Sequence, residues 1–211
     1  MAIIHHTTLK PTKLELLTDW LPTRPWYVGA GTPELTKAGG FRLDDPAGEV
    51  GIEFMVATDG DGVAYLVPLT YRGAPLDGAE HALVGTMEHG VLGQRWAYDG
   101  THDPVLVAEL LALIEGRAQA QAQSVDNTPD HEIARSYTGT GGGLRAGGPA
   151  VDDSTGTALP MADGTTLRIE RRPHGSDLPP SGALGHVSGH WTAADGSPAR
   201  AVLAVLRPGT D

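Results

Sequence analysis

The fold of the chain is decided by residues 61–116, which read DGVAYLVPLTYRGAPLDGAEHALVGTMEHGVLGQRWAYDGTHDPVLVAELLALIEG. The stretch starts with an apolar-rich run, continues as a Gly-rich crossing and ends in an almost wholly apolar segment. Asp103 and Pro104 suit a helix cap and the first helical residue, and Gly116 suits the position after the last turn. We therefore predict a buried helix between Pro104 and Gly116 that packs against a sheet.

Two apolar-rich runs before this helix predict an antiparallel hairpin. They cover residues 50–58 and 63–71, and Asp59-Gly60-Asp61-Gly62 between them supplies the positive φ that a tight turn needs. Pro68 cannot donate a hydrogen bond to a neighbouring strand. We therefore expect its strand to lie at a sheet edge or beside a bulge.

A second, shorter helix is predicted near the N-terminus. Thr12 and Glu15 have the spacing of a capping box, in which each side chain accepts a hydrogen bond from a free amide at the start of the helix. The apolar face of this helix consists of Leu14, Leu17 and Leu21, with Trp20 beside them.

Further strands are predicted at residues 3–9, 41–43, 165–172, 185–194 and 199–207. Residues 119–158 contain much Gly, Ser, Thr and Asp, and they offer too little apolar surface to offset the entropy of ordering. The sequence therefore predicts an α+β fold. It consists of a curved, mainly antiparallel sheet with two packed helices, a disordered middle and a β-rich C-terminal extension.

The charge of the chain is acidic and unevenly distributed. The net charge is −11, and the first 115 residues contain 16 acidic side chains against 7 basic ones. Such a surface repels phosphate backbones and anionic lipids, so we expect neither nucleic acid nor membrane as a partner. The absence of cysteine excludes disulfides and thiolate metal sites. No apolar run has the length of a signal peptide core or a membrane span, so we expect a cytoplasmic protein.

Several short motifs occur in a fixed order along the first half of the chain. They are Trp20-Leu21-Pro22, Arg24, Trp26-Tyr27, Val67-Pro68-Leu69-Thr70-Tyr71-Arg72 and Asp99-Gly100-Thr101-His102-Asp103-Pro104. With these motifs, residues 12–115 resemble the N-terminal cap domain of the bacterial maltokinase family, which phosphorylates maltose in trehalose and α-glucan metabolism. The resemblance implies a curved antiparallel sheet with packed helices, which flanks the nucleotide-binding lobe and supplies no catalytic residue.

The resemblance ends where the family would continue into its kinase lobe. We expect residues 1–117 to form the cap-like domain, 118–158 a flexible linker, and 159–211 an extension that packs on the sheet or extends it. A kinase needs a catalytic Asp with a following Asn and a second Asp for magnesium. The nearest match, His174-Gly175-Ser176-Asp177, has its Asp displaced and is followed by Pro179-Pro180. We therefore expect a cap without its kinase, with no catalytic residue and no phosphotransfer.

Trp26, Tyr27 and Arg24 are candidates for a sugar-binding platform. An aromatic face packs against the apolar face of a pyranose, and a guanidinium can bond its hydroxyls. The favoured alternative is that the two aromatic residues lie in the core beside a structural arginine, because large aromatics dominate cores and this chain has few. Tyr71 and Arg72, from the strand motif, are the remaining candidates for substrate binding.

Other chemistry finds weaker support in the sequence. His186 and His190 would lie about 13 Å apart on one strand, too far for one ion, so we expect no metal and no cofactor. A pair of glycosidase carboxylates could be drawn from Glu53, Glu88 and Asp99. The simpler interpretation is that these residues belong to an acidic surface.

The sequence leads to one function and two alternatives. We expect a non-catalytic accessory or regulatory protein of α-glucan or trehalose metabolism, whose partner is a pathway enzyme or a kinase lobe, with an α-glucan as a further candidate partner. The first alternative is a carbohydrate-binding or carbohydrate-active protein of the α-glucan branching type that uses the concave sheet face. The second is a structural module of a complex.

Overall fold

The structure is a computed structural model that describes residues 9–123, 128–139 and 143–209. The helices are α1 (Lys13–Trp20) and α2 (Pro104–Glu115), with short 3-10 turns at Leu21–Thr23, Glu80–Ala82 and Gly100–His102. The strands are β1 (Leu9–Lys10), β2 (Thr36–Leu43), β3 (Gly51–Thr58), β4 (Ala64–Arg72), β5 (Leu83–His89), β6 (Gly93–Asp99), β7 (Gln121–Ala122), β8 (Ala134–Tyr137), β9 (Val151–Asp152), β10 (Gly156–Pro160), β11 (Thr166–Glu170), β12 (Gly185–Thr192) and β13 (Pro198–Arg207).

The described strands form one antiparallel sheet in the order β1-β5-β6-β4-β3-β2-β12-β13-β11-β10-β9. Two further strands join it, β7 beside β2 and β8 beside β12. The C-terminal strands are connected to the cap-like strands through β2 and β12, where Trp191 is opposite Gly39. The extension therefore continues the sheet, and the predicted α+β class is confirmed.

Helix α2 forms where its caps predicted it. The Asp103 carboxylate accepts a hydrogen bond from the amide of Val105 at 2.9 Å, and Gly116 ends the helix with φ of +83°. Its apolar side chains are buried against Phe54, Val56 and Leu66 of the central hairpin and against the C-terminal strands. This cluster is the main core.

Helix α1 covers the opposite face of the same hairpin. The Thr12 amide donates to Glu15 Oε2 at 2.6 Å and the Glu15 amide donates to Thr12 Oγ1 at 3.3 Å, so the predicted capping box is present. The helix packs on Met55, Tyr65 and Val67. Because these residues alternate with those facing α2, the two helices lie on opposite faces of β3 and β4.

The central hairpin is confirmed, but the edge position predicted for Pro68 is wrong. Asp59 Oδ1 accepts from the amides of Asp61 and Val63 and closes the turn. Strand β4 lies between β3 and β6, inside the sheet. Leu66 donates to the carbonyl of Arg171, and pairing with β6 starts only at Leu69, so Pro68 occupies a gap where no donor is needed.

The predicted disorder of residues 119–158 is wrong for the part of this segment that the structure describes. Strands β7, β8, β9 and β10 all form there. The Glu115 carboxylate accepts from the amides of Gly143 and Leu144, and Leu144 packs against the main core. Main-chain pairing and a few apolar side chains order the segment, which its composition does not reveal. Residues 124–127 and 140–142 of the predicted linker lie outside the described part.

The strands predicted at 165–172, 185–194 and 199–207 are present with shifts of at most two residues at their ends, whereas the strand predicted at 41–43 already starts at Thr36. The predicted strand at 3–9 is described only at Leu9, which pairs with His89 in β1 and β5. The boundaries at residues 117 and 158 stay a prediction, although one sheet runs across both. None of the described helices has the length and apolar character needed to span a bilayer.

Candidate functional site

The Asp99–Pro104 motif connects β6 to α2, and its two aspartates each form an ion pair with an arginine. Asp99 accepts from the amide and hydroxyl of Thr101 at 3.1 and 2.8 Å, while Asp103 caps α2. Both oxygens of Asp103 bind the guanidinium of Arg72 at 2.7 Å. These hydrogen bonds raise the pKa of Arg72, so its guanidinium stays charged across the ordinary pH range. The motif therefore fixes the start of α2.

The second ion pair joins Asp99 to Arg171, a residue that sequence reasoning missed. The two groups approach to 2.6 Å, and the side chain of Arg171 is fully buried. Burial alone would raise the pKa of Asp99, but the charge and hydrogen bonds of Arg171 outweigh it and hold that pKa below its usual value. Arg171 also donates to Thr157 at 2.7 Å and lies over the Trp26 ring at 4.9 Å. One arginine thus connects the cap motif to β10 and β11.

A groove of about 430 Å³ lies between α2 and residues 144–150. Its walls are mainly apolar and include Leu111 and Leu144, and His102 and His81 also line it. The imidazole nitrogens His81 Nε2 and His102 Nδ1 are 3.1 Å apart. Burial lowers the pKa of His102, and the charge of Asp99 opposes that shift without reversing it. The histidine pair lines a groove that the cap motif and the extension form jointly.

The structure separates the residues predicted to form a sugar platform. Trp26 is fully buried in the core between Trp20 and Arg171, so its ring face is not open to a ligand. Arg24 lies over the ring of Trp20 at 4.8 Å, and its guanidinium donates to Thr23. Tyr27 alone keeps part of its ring exposed. A shared platform of these three residues does not form.

The other two candidates belong to separate ion-pair networks. Arg72 is held by Asp103, whereas Tyr71 donates to Glu53 Oε2 at 2.7 Å. Glu53 also contacts Lys13 and accepts from Gln123 at 2.7 Å. Burial opposes ionisation of Glu53, yet the charge of Lys13 holds its pKa below the usual value. The pKa of Tyr71 is raised, mainly by burial and then by the charge of Glu53. This buried carboxylate anchors α1 to the sheet.

The segment compared with a kinase loop lies in the irregular loop between β11 and β12. His174 Nδ1 lies 2.7 Å from the carbonyl of Arg172, and Asp177 pairs with Arg200 at 3.2 Å. The carboxylates considered as a glycosidase pair are also used elsewhere, since Glu53 binds Lys13 and Asp99 binds Arg171.

The two histidines on β12 contact different neighbours. His186 Nδ1 is 2.6 Å from Ser136 Oγ, and His190 Nε2 is 3.0 Å from Glu132. Within the described ranges, no three metal-binding side chains converge on one point.

Comparison with known proteins gives one family. Residues 20–103 match the model of the maltokinase N-terminal cap domain. No curated protein matches the chain significantly. The matched region runs from the end of α1 to the cap of α2, and it contains Arg72, Asp99 and Asp103. Over residues 20–103, the chain is similar to the maltokinase N-terminal cap domain.

Proposed function

We propose that this protein is a non-catalytic accessory or regulatory component of α-glucan or trehalose metabolism, which binds a pathway enzyme or a kinase lobe. The observation that carries the proposal is the match of residues 20–103 to the maltokinase cap. That match connects the chain to maltose-phosphorylating enzymes, and the accessory role and the partner are our inference from it.

The use of charged groups within the matched region supports a role without catalysis. Asp99 and Asp103 each cap a turn or helix and pair with an arginine. Glu53 is enclosed by Lys13, Tyr71 and Gln123. Groups with these partners stabilise the fold, and they are not free to exchange protons with a substrate.

The tip of the β5–β6 hairpin offers a contact surface for the partner. Val91 and Leu92 are 60% and 45% exposed, and they lie side by side in the turn. His89 Nδ1 accepts from both of their amides, at 3.3 and 3.1 Å, which holds the turn in place. Of the six large apolar side chains exposed among the described residues, four belong to the matched region. Burying these two adjacent apolar side chains against a partner would remove apolar surface from water, which favours association.

The test measures binding to purified enzymes of the pathway. Maltokinase, trehalose synthase, maltosyltransferase and branching enzyme from the same genome are immobilised in turn, and the protein is titrated over each by biolayer interferometry. We expect one of these enzymes to bind the protein. The double variant Val91→Asp/Leu92→Asp should weaken that binding about tenfold or more. Leu178→Asp is the matched control, because Leu178 is 75% exposed and lies outside the cap. Binding by none of the enzymes up to about 100 µM would contradict the proposal.

The alternative of a carbohydrate-binding or carbohydrate-active protein that uses the concave sheet face has less support. Helices α1 and α2 cover the two faces of the central hairpin, so its strands do not present an open surface. The strongest aromatic candidate, Trp26, lies in the core.

A further inference from the structure

A recess of about 330 Å³ lies between the end of α1 and the loop that follows Tyr27. Thr18 and Asp19 line it from the helix, and Tyr27, Gly29 and Thr32 line it from the loop. Its volume lies at the lower end of the range of small-molecule sites. The recess is separate from the groove beside α2 and from the hairpin tip.

The ring of Tyr27 is fixed at the wall of this recess. Its hydroxyl donates to the carbonyl of Gly31 at 3.3 Å, and its ring packs on Tyr65 at 5.5 Å between centroids. A Cβ atom at Gly29 would lie 2.1 Å from the Tyr27 hydroxyl oxygen, so a glycine is required there for this ring position. Tyr65 is itself buried and donates to Asp59 at 3.2 Å. An aromatic ring held from three sides needs little further ordering when it binds a ligand.

The polar groups of the recess are mostly hydrogen-bond acceptors and hydroxyls. Within the described ranges, neither the carboxylate of Asp19 nor the hydroxyl of Thr32 has a hydrogen-bond partner. Thr18 donates its proton to the carbonyl of Leu14 at 2.8 Å and keeps its oxygen lone pairs available. The lining therefore offers one free carboxylate, two threonine hydroxyl groups and a fixed ring.

We propose that this recess binds a neutral monosaccharide or disaccharide. The Tyr27 ring packs against the apolar face of the sugar, while Asp19 accepts hydrogen bonds from its hydroxyls and Thr32 contributes a hydroxyl that donates and accepts. A phosphorylated or carboxylated ligand is disfavoured by the charge of Asp19 and by Asp59 and Asp61 nearby. After burial itself, the charges of Asp59 and Asp61 raise the pKa of the Tyr27 hydroxyl, which places them within electrostatic range of the site. The proposal goes beyond the accessory role and does not depend on it.

The experiment titrates the full chain with maltose, trehalose and glucose by calorimetry, and with choline as a cationic probe. We expect one of the sugars to bind, and Asp19→Asn to weaken it about tenfold or more, as expected for the loss of hydrogen bonds to a charged acceptor. Asp77→Asn is the matched control, because Asp77 is an exposed acid outside the recess. Its affinity should equal that of the unmodified protein.

Two variants of Tyr27 separate binding from folding. Tyr27→Phe keeps the ring and should retain most of the affinity for the sugar. Tyr27→Leu removes the aromatic face and should abolish binding, while an unchanged circular dichroism spectrum shows that the variant is folded. If Tyr27→Leu unfolds, the comparison of Asp19→Asn with Asp77→Asn decides alone. The proposal is overturned if no sugar binds up to about 10 mM, if choline binds and the sugars do not, or if Asp19→Asn binds as well as its control. The hairpin-tip variants should bind sugar normally, so the failure of one proposal leaves the other intact.

Discussion

Replacing Arg171 by methionine removes the arginine that connects the cap motif to the extension. The side chain is fully buried and donates to Asp99 at 2.6 Å, to Thr157 at 2.7 Å and to Thr101 at 3.1 Å. Methionine occupies a similar volume but provides no donor, so the Asp99 carboxylate stays buried without its countercharge. Breaking a buried pair in this way costs about 3–5 kcal/mol in the free energy of unfolding. We expect Arg171→Met to be destabilised by that amount in urea titrations at pH 7, followed by tryptophan fluorescence.

The pH dependence of the same variant provides a second readout. In the unmodified protein the folded pKa of Asp99 is lowered, so its contribution to stability is present above the unfolded pKa and is lost as pH falls through the folded pKa. Without Arg171, no positive charge outweighs the effect of burial on Asp99. The pKa of Asp99 in the folded state should then rise above its pKa in the unfolded state. Protonation then favours the folded state, so the deficit of the variant relative to the unmodified protein should shrink between pH 7 and pH 5.

Two further variants identify the cause of the loss. Adding Asp99→Asn to Arg171→Met removes both charges and should restore about 2 kcal/mol or more, because replacing a complete buried pair costs far less than breaking it. Arg168→Met is the matched control, since its partner Asp153 has 52% of its side chain exposed. A pair that is open to solvent is worth about 1 kcal/mol or less. The reasoning is refuted if Arg171→Met loses less than about 1 kcal/mol, or if the double variant is no more stable than the single one.

The parts of the fold that could be predicted from sequence depend on residues close together in the chain. The capping box of Thr12 and Glu15, the cap of α2 at Asp103 and the turn at 59–62 each arise from a few neighbouring residues. Each of these features forms as predicted. Local hydrogen bonds of this kind are satisfied within one turn, so the sequence contains the whole signal.

What the sequence could not reveal depends on distant partners. Asp99 and Arg171 are separated by 72 positions, and nothing in the run Arg171-Arg172 distinguishes a buried arginine from a surface one. Strand β8 forms because its main chain pairs with β12, which the polar composition of residues 119–158 does not encode. The interior position of β4 likewise follows from which strands pair with it. Composition gives the apolar surface of the segment itself. It does not give the main-chain hydrogen bonds and apolar contacts that a neighbouring strand provides.

Two further predictions concern catalysis and the role of Trp26. The purified chain should not transfer phosphate from ATP to maltose or glucose, because its kinase-like segment is an irregular loop in which Asp177 pairs with Arg200. Turnover in a coupled assay that disappears in Asp177→Ala would contradict this. Trp26→Ala should lower the free energy of unfolding by about 3–5 kcal/mol in the same urea titration, the usual cost of removing a buried large aromatic. Its ring is fully buried and packs on Trp20 at 5.8 Å and Tyr65 at 6.3 Å. A Trp26→Ala protein of nearly unchanged stability would contradict this reasoning. A folded Trp26→Ala protein should still bind sugar, because the recess is lined by Tyr27 and Asp19 and not by Trp26.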